Sequence, residues 1–230
     1  MLKRTGGAPA PGEGSRRIDT FIFDLDGTLL DTLPDLIQLT NRALREQGFP
    51  EHDERAIRSF IGNGAAMLIR RAVPPDTPEE QVDATMLRWR ELYPECGIEL
   101  TRPYPHMMET LRRLKEGGAH LAVLSNKFDK GVTDVIGAFM PGIFEVMHGE
   151  SDLIPRKPDP TGLLYTMEEL GADPVRTVYV GDSQADMWTA RAAGVLAVGA
   201  LWGYGECEGL DEADCDLTVD DPLDLLELAE

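Results

Sequence analysis

Apolar residues follow two different patterns along the chain, and the change between them divides the sequence into two parts. Between residues 34 and 93 the apolar positions recur at helical spacing, with breaks at Gly-Asn-Gly (62–64) and at Pro-Pro (74–75). This pattern predicts four helices, at residues 34–47, 54–60, 65–73 and 79–93. Beyond Pro103, short apolar runs alternate with helical patterns, which is typical of βαβ units around a parallel sheet.

The α/β part begins with a β-branched and aromatic run at residues 18–25, which predicts a buried strand that Gly27 ends. Further strands are expected at residues 121–124, 144–147, 177–180, 195–198 and 217–219, and helices at 106–116, 128–140, 160–170, 184–193 and from 222 onward. The simplest fold is a doubly wound, mainly parallel, Rossmann-like α/β core formed by residues 18–32 and 103–230, with residues 33–102 inserted as an all-helical segment. Residues 1–17 contain glycines and prolines without an apolar period and are expected to be a flexible leader.

The composition of the 230 residues is that of a globular chain, with 42% hydrophobic and 27% charged residues. An excess of acidic over basic residues, 41 against 22, gives a formal charge of −19 and disfavours binding to nucleic acid or to an anionic membrane. No apolar stretch approaches the roughly 20 residues of a membrane span, and the three cysteines lack a C-x-x-C spacing, which argues against a zinc site. We therefore expect a cytoplasmic protein in which any anionic substrate would need local positive groups. A monomer or a homodimer is expected.

Polar side chains follow three of the predicted strands, where a parallel sheet would place them at one edge. These residues are Asp24 and Asp26, Ser125 and Asn126, and Asp182 and Asp186, and a loop that carries Lys157 precedes another helix. Singly they have ordinary explanations, since Ser125 could cap a helix and Lys157 could be a solvated charge. Together they supply oxygen ligands for Mg²⁺ and a cation for a phosphate, which favours metal-assisted phosphoryl transfer.

These four clusters, in this order, resemble the motifs of the haloacid dehalogenase superfamily of phosphohydrolases. The matching segments are Phe-Asp-Leu-Asp-Gly-Thr-Leu (23–29), Leu-Ser-Asn-Lys (124–127), Lys-Pro-Asp-Pro (157–160) and Gly-Asp-Ser-Gln-Ala-Asp-Met (181–187). The resemblance covers residues 20 to about 205 and implies the family's α/β core with the helical segment inserted as a small cap domain. An inactive binding protein on the same scaffold is disfavoured because all four motifs are intact.

The resemblance also implies a role for each acidic residue. Asp24 would be the nucleophile that forms an aspartyl phosphate. Asp26 would protonate the leaving oxygen and later take a proton from the hydrolytic water. Mg²⁺ would be bound by the Asp24 side chain, the Asp26 main-chain carbonyl and Asp182. Asp186 would be either a further ligand or an outer-shell partner.

The expected substrate contacts come from both parts of the chain. Ser125, Asn126 and Lys157 would bind the phosphate, and Gly62 and Asn63 would reach the substrate from the cap. Residues 60–65 and the Gly-Tyr-Gly stretch at 203–205 look most like the phosphoglycolate phosphatases, so the expected substrate is a small phosphorylated metabolite, 2-phosphoglycolate. The alternatives are a phosphomutase of the β-phosphoglucomutase type and a phosphatase that acts on pyrophosphate or sugar phosphates.

Overall fold

The fold was analysed in a computed structural model, which describes residues 3–4, 17–205, 210 and 214–230. Contacts within the chain divide it into two compact units. One unit joins Met1–Leu30 to Pro103–Glu230, and the other is the continuous segment Asp31–Arg102.

The larger unit is built on a seven-stranded sheet. The strands of the chain are β1 (Lys3–Arg4), β2 (Thr20–Phe23), β3 (Leu30–Asp31), β4 (Arg102–Pro103), β5 (His120–Phe128), β6 (Val146–Glu150), β7 (Thr177–Gly181), β8 (Leu196–Ala200) and β9 (Leu217–Val219). The order across the sheet is β1-β9-β8-β7-β2-β5-β6, and every pairing except that of β1 with β9 is parallel. The expected mainly parallel α/β core is confirmed.

The centre of this sheet is strand β2, which pairs with β5 on one side and with β7 on the other. Phe21 lies opposite Leu121 of β5 and Val178 of β7, and all four residues of β2 are buried. The helices of this unit are α5 (Met107–Glu116), α6 (Asp129–Phe139), α7 (Thr161–Leu170) and α8 (Gln184–Ala193). Their apolar faces supply the rest of the core, which gives β2 and its neighbours a rigid setting for the residues that follow them.

The smaller unit consists of helices α1 (Leu33–Glu46), α2 (Glu54–Phe60), α3 (Gly64–Ala72) and α4 (Glu79–Cys96). Trp89 of α4 is buried against α1, where its indole N–H donates to Thr40 Oγ1 at 3.2 Å. Asp35 of α1 is fully buried and accepts hydrogen bonds from Leu100 N at 2.9 Å and from Thr101 N and Oγ1, both at 2.6 Å. Asp35 thereby ties Leu100 and Thr101, at the end of this unit, to helix α1. No pattern in the sequence indicated this role.

Several elements differ from the expectation in length. β5 runs past its predicted end to Phe128, because β6 continues to pair with it beyond a register shift after Leu124. α4 continues through Pro94 to Cys96, since a proline in the last turn leaves few backbone hydrogen bonds to be lost. The segment Pro222–Leu228 is a 3₁₀ helix rather than the expected α-helix.

The expected flexible leader, residues 1–17, differs from the structure at two positions. Lys3–Arg4 forms a short strand that pairs antiparallel with β9, while residues 1–2 and 5–16 lie outside the described part of the chain. Cys96 and Cys215 are buried free thiols, and Cys207 also lies outside the described residues. Among the described helices, none has both the length and the apolar character needed to cross a membrane.

Candidate active site

The polar clusters predicted from the sequence meet at one edge of the sheet. β7, β2 and β5 are neighbours and run parallel, so their carboxyl ends point to the same side. Asp24 directly follows β2, Asp182 directly follows β7, and Ser125 and Asn126 lie near the end of β5. The main-chain N–H of Asp24 donates to Val180 O at 2.9 Å, which extends the β2–β7 pairing to Asp24.

Three carboxylates form the centre of this edge. Asp24, Asp182 and Asp186 are buried, and one carboxylate oxygen from each lies within 4.8 Å of the others. Lys157, also buried, places its Nζ 2.8 Å from Asp24 Oδ1 and 2.5 Å from Asp186 Oδ1. One ammonium therefore faces three carboxylates, and the cluster carries an excess of negative charge.

Burial, together with this excess of charge, shifts the pKa values of two of the acids. Burial raises the pKa of Asp24 to about 7; the charge of Lys157 opposes the rise, and those of Asp186 and Asp182 add to it. Burial together with Asp186 raises the pKa of Asp182 to about 6. Burial alone would lower the pKa of Lys157, but the attraction of Asp186 and Asp24 outweighs it and holds that pKa well above the ordinary value, so the lysine is charged.

The cluster fits the Mg²⁺ that the family resemblance implies. Asp24 Oδ1 is buried and receives no well-aligned hydrogen bond from the described residues, although the Lys157 ammonium lies 2.8 Å from it. A buried carboxylate oxygen without a donor is costly unless a cation approaches it. Asp24 and Asp182 supply hard oxygen ligands of the kind Mg²⁺ prefers, and a divalent cation would also offset the negative charge.

Asp186 differs from the other two carboxylates because donors surround it. Its Oδ2 accepts from Ser183 N at 2.9 Å and from Ser183 Oγ at 2.6 Å, in a capping box at the start of α8. Its Oδ1 accepts from Lys157 Nζ at 2.5 Å and from Tyr179 OH at 3.3 Å. Asp186 is thus bonded as an anchor for Lys157, an arrangement that favours an outer-shell position over direct metal binding.

Asp182 is oriented by groups from two loops. Its Oδ1 accepts from Thr28 Oγ1 at 3.0 Å, and its Oδ2 accepts from Tyr204 N at 2.7 Å and from Gly205 N at 3.2 Å. Gly27 has φ +89, and a Cβ there would overlap the Asp182 carboxylate, so only glycine fits this turn. Thr28 and Tyr204 belong to segments that resemble family sequences, but no local pattern predicts their hydrogen bonds to Asp182.

Asp26 lies outside the three-carboxylate cluster and has its own cation. Lys127 Nζ is 3.1 Å from Asp26 Oδ1 and 3.3 Å from Oδ2, and the two side chains are 6% and 16% exposed. Lys127 belongs to the Leu-Ser-Asn-Lys motif, but no role was expected for it. The alternation of side chains along a strand, which places residues 125 and 127 on one face, was the signal available.

Ser125 and Asn126 are both buried. Ser125 Oγ accepts from Lys127 N at 3.2 Å. Asn126 Oδ1 accepts from Lys157 N at 2.7 Å, and its Nδ2 donates to Lys157 O at 3.3 Å. Asn126 therefore braces the loop that presents Lys157, a task beyond the phosphate contact expected for it.

Gly62 and Asn63 belong to the helical unit and begin the turn into α3. Gly62 has φ +99, and Asn63 Oδ1 accepts from Arg71 Nη2 at 2.7 Å within the same unit. Their expected contact with a substrate remains a prediction.

Comparisons with known proteins place this geometry in a family. The sequence profile of the haloacid dehalogenase-like hydrolases matches residues 21–200. The chain is 36% identical over 206 residues to the phosphoglycolate phosphatase of Pseudomonas putida KT2440, covering 87% of this chain and 75% of that protein. It is 38% identical over 212 residues to the phosphoglycolate phosphatase of Haemophilus influenzae 86-028NP, covering 89% of this chain and 95% of that one.

A solved structure gives the same result. A predicted phosphoglycolate phosphatase from Haemophilus somnus 129pt superimposes with a TM-score of 0.88 at 33% identity, covering 94% of this chain and 100% of that chain. The profile spans most of the chain, and the relatives exceed 30% identity over nearly all of it. The chain therefore belongs to the haloacid dehalogenase-like hydrolases, and it is an enzyme of the phosphoric monoester hydrolase class.

Proposed function

We propose that this phosphatase depends on Mg²⁺ and hydrolyses a small anionic phosphomonoester, 2-phosphoglycolate, by way of an aspartyl phosphate on Asp24. The observation that carries the proposal is the buried cluster of Asp24, Asp182 and Asp186 against Lys157, in which Asp24 Oδ1 receives no well-aligned hydrogen bond from the described residues. The names of the relatives, phosphoglycolate phosphatases, support the choice of substrate.

Mg²⁺ would be held by the side chains of Asp24 and Asp182 and by the main-chain carbonyl of Asp26. Bound there, the ion would neutralise negative charge and orient a phosphate oxygen for in-line attack. Asp186 would act one shell out, by holding Lys157 in place through the 2.5 Å hydrogen bond. Thr28 and the N–H groups of Tyr204 and Gly205 would fix the direction of the Asp182 carboxylate.

The first chemical step would form a bond between an Asp24 carboxylate oxygen and phosphorus as the bond from phosphorus to the ester oxygen breaks. Asp26 would give its proton to that departing oxygen. Lys157 and Ser125 would hold the nonbridging oxygens, and Lys157 would reduce the repulsion between the Asp24 carboxylate and the incoming phosphate.

The second step would release the phosphate. Asp26, now unprotonated, would take a proton from a water molecule whose oxygen bonds to phosphorus, while the bond from phosphorus to Asp24 breaks. The products would be inorganic phosphate, glycolate and the enzyme in its starting form, so atoms and charge balance over the cycle.

The helical unit, Asp31–Arg102, would serve as a cap that limits water and selects the substrate. The turn at Gly62 and Asn63 leads into α3, whose first N–H groups could meet a carboxylate. The core would then carry out the chemistry, and the helical unit would contribute to the choice of substrate.

A panel of phosphate esters tests the proposed function. Purified enzyme with Mg²⁺ would be given 2-phosphoglycolate, p-nitrophenyl phosphate, a hexose 1-phosphate and pyrophosphate, and phosphate release and organic products would be measured. We expect the highest kcat/KM for 2-phosphoglycolate. A higher value for another compound would refute the substrate, and conversion of the hexose 1-phosphate to a phosphorylated isomer would instead identify a mutase.

A further inference from the structure

A second buried lysine, Lys127, lies beside the proposed catalytic residues, in addition to Lys157. Lys127 has a side chain only 6% exposed, and its Nζ touches both oxygens of Asp26. Burying an ammonium is expensive, and a buried ion pair is a poor way to gain stability compared with apolar packing. Lys157, not Lys127, is the ammonium that lies between Asp24 and Asp186.

The position of this ammonium is defined by the residue it contacts. Asp26 is the group proposed to exchange a proton with the leaving oxygen, so it must come within about 3 Å of that oxygen during the reaction. Lys127 Nζ lies 3.1 Å from Asp26 Oδ1, so it stands beside the leaving group rather than beside the transferred phosphate. The carboxylate oxygens of a 2-phosphoglycolate leaving group are three bonds from the ester oxygen, so they lie about one hydrogen-bond length from it.

The chemistry of the contact also fits a carboxylate. The group against Lys127 is already a carboxylate that approaches with both oxygens, at 3.1 and 3.3 Å. An ammonium has three donors and can exchange one carboxylate for another in the same geometry. A leaving group without a negative charge could not replace the ion pair that Lys127 makes with Asp26.

We infer that Lys127 selects for a leaving group that carries its own carboxylate, by exchanging its contact with Asp26 for one with the substrate. The inference rests on the proposed phosphatase reaction and adds a residue that recognises the substrate class. Asp26, released from the ammonium by this exchange, becomes free to turn to the leaving oxygen. A carboxylated ester would thereby bind to Lys127 and also release Asp26, the residue proposed to protonate its leaving oxygen.

The test compares two alkyl phosphates that differ in the carboxylate, 2-phosphoglycolate and ethyl phosphate, both assayed with Mg²⁺. The enzyme variants are Lys127→Met and Lys127→Gln, which remove the charge, and Lys127→Arg, which keeps it. Lys130→Met is the matched control, because Lys130 is 78% exposed and pairs with Asp134 on the surface of α6. The readout is the ratio of kcat/KM for the two esters, with the thermal unfolding of each variant as a check on folding.

We expect Lys127→Met and Lys127→Gln to lower the ratio by about 10- to 100-fold, the usual effect of losing a charged hydrogen bond. Lys127→Arg should keep most of the preference, and Lys130→Met should leave it unchanged. An equal loss on both esters would show that Lys127 only positions Asp26 and would overturn the inference. Failure of both neutral variants to fold would overturn it too, since Lys127 would then be structural. No hydrolysis of either ester by the wild-type enzyme would refute the proposed function itself.

Discussion

The carboxylate that gives this enzyme its proposed nucleophile should also destabilise the protein when no metal is bound. Asp24 is buried, its Oδ1 receives no well-aligned hydrogen bond from the described residues, and Asp182 and Asp186 lie within 4.8 Å of it. Burial raises its pKa to about 7 from 3.8. We therefore predict that Asp24→Asn makes the metal-free protein more stable at pH 8.

The sign follows from the binding of protons. Between about pH 4 and pH 7 the folded protein holds the Asp24 proton while the unfolded chain has lost it, so stability falls as the pH rises through that window. The two pKa values differ by about 3, and each pH unit corresponds to about 1.4 kcal/mol, so ionised Asp24 costs up to about 4 kcal/mol at pH 8. Asparagine has the shape of the protonated acid and carries no charge, so the variant should recover much of this energy.

The assay is thermal unfolding in excess EDTA at pH 5 and at pH 8. For a chain of this length each kcal/mol moves the Tm by about 2–4 °C, so Asp24→Asn should raise the Tm by at least about 4 °C at pH 8 and by less at pH 5. Added Mg²⁺ should stabilise the wild-type protein more than the variant, so the difference in Tm between the two proteins should become smaller.

Asp35→Asn is the matched control, because Asp35 is a buried carboxylate with several donors. It accepts hydrogen bonds from Leu100 N, Thr101 N and Thr101 Oγ1, and an asparagine amide would turn an N–H group toward them. We expect this variant to be less stable at both pH values. A lower Tm for Asp24→Asn than for the wild type at pH 8 in EDTA would refute the reasoning about the carboxylate cluster.

Three further predictions concern activity. Hydrolysis should stop in excess EDTA, return with Mg²⁺ and be inhibited by Ca²⁺, whose looser coordination disturbs in-line alignment, so equal rates with EDTA and with Mg²⁺ would exclude the metal site. Asn126→Ala removes both hydrogen bonds to the Lys157 backbone and should lower kcat/KM on every ester by about 10-fold or more, whereas an unchanged value would show that the brace is not needed. If the helical unit acts as a cap, Asn63→Ala should reduce kcat/KM for 2-phosphoglycolate far more than for p-nitrophenyl phosphate. Equal losses on the two esters would contradict that role. Asn63→Ala is a cleaner change than Gly64→Val, which places a β-branched residue at φ +77.

The sequence was sufficient to predict the core strands and the residues at their ends. Strand β2 is apolar on both faces because it lies between two parallel neighbours under helices, and this burial leaves a readable run that stops at Asp24. The order of the strands then brings Asp24, Ser125 and Asp182 to one edge. Chain order alone did not give that arrangement, which came from the general geometry of parallel sheets.

Contacts between distant side chains were beyond the reach of the sequence. Lys127 and Asp26 are 101 positions apart, and Thr28 and Asp182 are 154 apart, so no local period reports either contact. Asp35 is not among the apolar positions of the first helix, yet it is fully buried because donors 65 and 66 positions later satisfy it. The sequence likewise left the role of Asp186 open, and only its four donors favour an outer-shell position.

The covalent aspartyl phosphate proposed at Asp24 can be trapped and located directly. Wild-type enzyme turning over 2-phosphoglycolate with Mg²⁺ would be quenched in acid, digested and examined by mass spectrometry, beside Asp24→Asn treated in the same way. We predict one phosphoryl group on the wild-type peptide that contains Asp24 and none on the corresponding peptide of the variant. The variant should hydrolyse 2-phosphoglycolate at a rate lower by several powers of ten. A phosphoryl group on another residue, or a variant that keeps more than a few per cent of the wild-type rate, would contradict it.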